Sequence, residues 1–268
     1  MKINKISLLL FFVSVSSISL AQVAIGTITP DNSAALDVKS IEKGFLPPRM
    51  TDADRDAITT PAAGLIVWCI NCGSDGEVQV FNGTIWTNLI GGAAAKGPPQ
   101  IGDFRYGGVI FYIAATPTDL NGDGTLDTGL VCAIEDQSSG IQWWNGNLNT
   151  TGATATGVGS GAANTITIIQ EQGAIQTDYA AGVAKAYTGG GYMDWYLPSK
   201  DELNLMYQDK VTIDAAATSN GGSSFISAYY WSSTEIFIDG AWLQTFGSGN
   251  QGYNYKYATN RVRAVRAF

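Results

Sequence analysis

The chain contains no histidine. That removes the side chain most often used for proton transfer near neutral pH. Serine-histidine-acid triads, cysteine-histidine pairs and histidine-ligated zinc are excluded with it. Carboxylate chemistry and ligand binding survive. Basic residues are few, 15 Lys and Arg against 23 Asp and Glu, for a net charge of −8. Such a surface repels phosphate backbones, whose binding depends on neutralising Lys and Arg. Nucleic acid is therefore not an expected partner, and polyanionic glycans would need the basic residues clustered on one face. Cysteine is scarce, at three residues, and no segment after the first 21 residues is apolar enough to span a bilayer.

Those first residues, "MKINKISLLLFFVSVSSISLA", place Lys2 and Lys5 ahead of an apolar run that ends on Ser19, Leu20 and Ala21. The pattern is that of a secretory signal peptide. No cysteine follows to carry a lipid, so the mature protein is expected to be secreted, extracellular or at the cell surface, with the periplasm also open. Losing Lys2 and Lys5 takes the net charge from −8 to −10. The apolar content of 45%, the seven tryptophans and the 32 glycines describe a folded, turn-rich chain with ample material for a core.

Residues 22–90 mix short extended runs with polar turns and read as a small β-rich module. Asn82-Gly83 between apolar runs signals a hairpin, and Thr51 can cap a short helix over "TDADRDAI". Residues 91–103, small and proline-containing, read as a linker. From Phe104 onward the expected order is strands at "YGGVIFYIA" and "GLVCAIE", then helices, then short runs to the C-terminus. Ser199 with Glu202 three residues on forms a capping box ahead of Leu203, Met206 and Tyr207. The strand-helix-strand order indicates an α+β fold.

The segments "GGVIFYI", "GIQWW", "GYMDWYLPSKDELNLMY", "YYWSSTE", "AWLQTF" and "RVRAVRAF" resemble, in that order, the Lcl C-terminal-like family of secreted bacterial domains over residues 104–268. The resemblance implies a C-type-lectin-like domain with two main helices and small antiparallel sheets. It also implies a binding or adhesive role, often in a trimer. Residues 24–89 resemble an N-terminal module of exported surface and fibre-like proteins, which implies a stalk. The Glu-Pro-Asn and Trp-Asn-Asp motifs of sugar-binding C-type lectins are absent, so no sugar site is inherited.

Candidate sites follow from residue chemistry. Asp119, Asn121, Asp123, Thr125 and Asp127 follow the alternating spacing of a calcium loop, although Leu130 stands where a bidentate Glu would be needed. The alternative is a turn made by Asn-Gly and Asp-Gly, while mutual repulsion of three carboxylates favours a structural Ca2+. Cys69 and Cys72 form a C-x-x-C that export favours as a local disulfide over a metal or redox pair. Trp143, Trp144, Tyr229 and Tyr230, with Glu235, are candidate ligand contacts, one ring of each pair being expected in the core.

Three functions are then open. The first is a non-catalytic adhesion protein whose tip binds a glycan or surface protein, as a homo-oligomer, possibly a trimer. The second is a structural subunit of an extracellular assembly. The third is a carboxylate-dependent hydrolase drawing on Glu235 and Asp239 or on Asp201 and Glu202.

Overall fold

In the computed structural model, which describes residues 22–73, 75–89, 96–173 and 177–268, the chain divides between Pro98 and Pro99 into two units. The signal peptide expected at 1–21 and residues 91–95 of the expected linker lie outside the described residues.

The N-terminal unit opens with a two-stranded parallel ribbon, β1 (Val23–Ile25) and β2 (Leu36–Val38), in register Val23 to Leu36 and Ile25 to Val38. A four-stranded sheet follows, in the order β3 (Arg49–Met50), β4 (Ile66–Cys69), β5 (Glu77–Phe81) and β6 (Trp86–Asn88). Between β3 and β4 lies α1 (Asp52–Asp56), started by a capping box between Thr51 and Asp54. Asn82 closes the β5–β6 hairpin by accepting the N–H groups of Thr84 and Ile85. The core here is small. Arg55 is buried, reaches Gln79 and Cys72 and lies over the Trp86 ring, while Cys69 and Cys72 are joined by a disulfide.

The C-terminal unit holds β7 (Phe104–Arg105), β8 (Gly108–Thr118), β9 (Asp127–Cys132) and β10 (Ser138–Gln142), then α2 (Gly161–Gln172), α3 (Ala180–Ala186), α4 (Lys200–Gln208) and α5 (Lys210–Ser219). It finishes with β11 (Tyr229–Phe237), β12 (Gly240–Thr245), β13 (Gln251–Tyr255), β14 (Thr259–Val262) and β15 (Val265–Ala267). These strands make a four-stranded sheet, β15-β9-β8-β7, and a five-stranded one, β10-β14-β11-β12-β13. The terminal segment "RVRAVRAF" is therefore split, serving one sheet with β14 and the other with β15.

Two cores result. Trp143, Trp195, Trp231, Ile168 and Leu197 form one, where α2 packs on β11 and α3 on β10 and β14. Phe111, Leu130, Tyr196, Met206, Tyr230 and Phe246 form the other, where α4 and α5 pack on β8. Each fully buried large apolar side chain contributes roughly 1.5–3 kcal/mol, so both cores contribute substantially to the stability of this unit.

The architecture corrects the expected fold class. The chain is mainly β, with four sheets, fifteen strands and 19% helix among the described residues, and is not a two-helix α+β C-type-lectin-like domain. The reason is visible in the strands themselves. Most run two to six residues between glycine turns, too short for a period of two to register, while the few helices give the clearer periodic signal.

Candidate functional site

The ribbon is the most unusual surface of the molecule. Its turn is built from the chain's own polar groups: Asp31 accepts from the N–H and hydroxyl of Ser33, and Asp37 accepts the N–H of Asp31. Gly26 permits the two strands to close, because a Cβ there would sit 2.0 Å from the Lys39 carbonyl oxygen. The apolar side chains, by contrast, find nothing to pack on among the described residues. Val23, Ile25, Leu36 and Val38 are all exposed, Ile28 is 99% and Ile41 97% exposed, and Phe45 and Leu46 follow them. A trough of about 860 Å³ runs between Gly26–Thr29 and Lys39–Lys43. Parallel strands normally have both faces covered, and an isolated two-stranded sheet is marginal in water.

The candidate ligand contacts do not converge on one site. Trp143 and Tyr230 are fully buried, and this corrects their assignment as ligand contacts. Each polar tip is used internally, Trp143 Nε1 donating to the Ser232 carbonyl at 2.8 Å and Tyr230 Oη to Asp136 at 3.0 Å. Burial and the Asp136 charge push the Tyr230 hydroxyl above its ordinary range. Glu235 is corrected likewise. It is 3% exposed, ion-pairs with Lys256, and accepts the N–H groups of Thr151 and Gly152. Trp144 is half-buried against the core, whereas Tyr229 is exposed.

The 119–127 loop is closed by its own donors. Asp119 accepts the N–H groups of Asn121, Gly122 and Gly124; Asp123 accepts those of Thr125 and its hydroxyl; Asp127 turns inward to the Leu120 N–H at 2.8 Å. Gly122 and Gly124 supply the positive φ that the turn requires. Hydrogen bonds hold the Asp123 carboxyl below its usual range, while burial and the neighbouring Asp123 and Asp119 raise that of Asp127. No group of three or more metal-ligating His, Cys, Asp or Glu side chains converges among the described residues.

The sequence singles out Arg261, Arg263 and Arg266 as pairing with acids on neighbouring strands, and the structure pairs all three, but their partners Asp136 and Asp194, and Lys256, were not legible. Asp136 receives Arg261 and Arg263, and Arg266 pairs with Asp194 while lying over the Tyr192 ring at 3.8 Å. Lys256 sits over the Trp143 ring at 4.7 Å. The one clue was its sequence, a lone lysine inside "YNYKY". The ribbon's apolar groups left a fainter trace, in runs as short as "VAI" and "LDV" between polar turns. No helix among the described residues is long and apolar enough to cross a membrane.

Comparison with known proteins follows the same division. Residues 132–266 match the Lcl C-terminal domain, and residues 24–101 match a phage tail like trimerisation region. No curated protein matches the chain. Among solved structures, a fimbrial protein from Bacteroides ovatus is similar at 15% identity and a TM-score of 0.48, over 73% of this chain and 57% of that one. The chain thus spans less than two thirds of that protein, and a likeness of this degree carries neither fold nor activity across.

Proposed function

The chain belongs to the Lcl C-terminal domain family, and on that premise we propose that it is a structural subunit of an extracellular assembly. Its N-terminal unit joins copies of the chain, three in the reading we favour, and its C-terminal unit is what they display. The observation that carries this is the ribbon: a parallel pair with exposed apolar residues on both strands, inside the stretch similar to a trimerisation region. Covering such a surface with the same surface of two further copies gives each strand the buried face it lacks.

Catalysis has no part in this proposal. Two of the four carboxylates a hydrolase would call on have structural work, since Glu235 is held by Lys256 and two backbone N–H groups, and Glu202 closes the capping box at Ser199.

Replacing Val23 and Ile25 together by Asp tests the ribbon. The expected result is dissociation to single chains in light scattering, with the tryptophan near-UV signal of the C-terminal unit retained. A variant that keeps the wild-type mass would show that the copies meet elsewhere.

A further inference from the structure

The outer edge of the five-stranded sheet carries a groove bordered by Leu243, a residue of the tryptophan core, and otherwise open to solvent. β13 is an edge strand, paired among the described residues only with β12, and Leu243 stands opposite Gly252 while Tyr229 stands opposite Thr245 on the adjoining strand. Alternation places Leu243, Thr245, Gly252, Asn254 and Tyr229 on one face. A hollow of about 290 Å³ lies over them, with Asn250 at its rim. Gly252 makes the floor. A Cβ built there meets nothing within 4 Å, so the hollow exists because no side chain fills it.

The lining is uncharged, and although Gln251 spends its amide on the Lys200 carbonyl at 2.8 Å, three other polar side chains keep groups unspent. Tyr229 is 53% exposed and pairs with no other ring among the described residues. The Thr245 hydroxyl, the Asn250 amide and Asn254 Nδ2 have no partner among the described residues; Asn254 uses only its oxygen, accepting the Tyr255 N–H at 2.9 Å. No carboxylate, ammonium or guanidinium lines the groove.

We propose that this groove binds a neutral saccharide unit, its apolar ring face on Tyr229 and its hydroxyls on Thr245, Asn250 and Asn254. A charged ligand would find no counter-charge here, and an apolar one would leave several polar groups desolvated without partners, at about 1–3 kcal/mol each. A pyranose offers both an apolar C–H face and a ring of hydroxyls that can donate and accept. The volume is just below the roughly 300–1,000 Å³ of ordinary small-molecule pockets, which fits one sugar unit better than a long chain. The site is complete within one copy, so it stands or falls independently of the assembly.

The test is saturation-transfer NMR on the chain from Gln22 onward with the methyl glycosides of glucose, galactose, mannose and N-acetylglucosamine, followed by an array of neutral oligosaccharides. Binding of at least one of them is expected. Tyr229→Ala, which removes the platform, and Gly252→Val, which fills the floor, should each weaken it at least tenfold without moving the melting temperature. Should Gly252→Val unfold the chain, Asn250→Ala at the exposed rim replaces it. The proposal is overturned by silence across all neutral saccharides, by binding confined to sulfated or uronic glycans, or by binding that the variants leave unchanged.

Discussion

Glu235 and Lys256 meet in the interior of the C-terminal unit, both buried. Lys256 Nζ also donates to the Asn149 carbonyl at 3.0 Å and lies over Trp143, while Glu235 takes the N–H groups of Thr151 and Gly152. The pair ties the 149–152 loop to β11 and to the chain leaving β13. Lys256→Met would strand the carboxylate in an apolar setting, a loss of about 3–5 kcal/mol. Urea unfolding at neutral pH should show it, and the double variant with Glu235→Gln should recover part. A single variant costing under about 1 kcal/mol would contradict this role.

Glu202 is a buried acid with a helix to hold. It accepts Ser199 N–H at 2.7 Å and Gly159 N–H at 2.8 Å, yet burial outweighs these bonds and pushes its carboxyl from 4.5 up to about 7. The folded state thus keeps a proton that the unfolded chain loses. Its stabilising contribution is complete below about pH 4.5 and is lost as pH rises to about 7. Glu202→Gln should remove that component, on the order of 2–3 kcal/mol across the window. Parallel stability-pH curves for the two proteins would count against it.

The disulfide closes a very short loop, so little chain entropy is at stake. In the loop-entropy picture, opening Cys69–Cys72 costs about 2 kcal/mol or less. Replacing both by Ser should lower the stability of the N-terminal unit modestly and leave it folded, as read by hydrogen exchange across β4 and β5. Loss of all protection there would mean that the bridge, not Arg55 with its partners, organises that small core.

For the 119–127 loop, hydrogen bonds from its own backbone already occupy the carboxylates. Millimolar calcium should shift the melting temperature by less than about 1 °C, whereas Gly122→Ala, at φ +78°, should cost about 1 kcal/mol or more. A calcium-dependent rise of several degrees would instead support a cation held by Asp119, Asp123 and Asp127.

Local signals were the legible ones. The capping boxes at Thr51 and Ser199 and the Asn82-Gly83 turn are written in three or four consecutive residues, and the structure forms each where its residues stand. What stayed hidden depends on pairing across distance. Nothing in "RVRAVRAF" says that Val262 and Val265 serve different sheets, and nothing near Asp136 says that two arginines over 120 residues later will share it. The adjacent aromatics told that a pair could not both be buried, and the structure divides them with Trp143 and Tyr230 inward. Glu235 could not be read at all, because its partner Lys256 arrives two strands later.

The mass in solution of the chain from Gln22 onward tests the central claim most directly. Sedimentation equilibrium over a wide concentration range should return three times the single-chain mass, because the proposal covers the apolar ribbon with two further copies of the chain. A single-chain mass at all concentrations would contradict the account, and the ribbon would then have to be covered by a different protein.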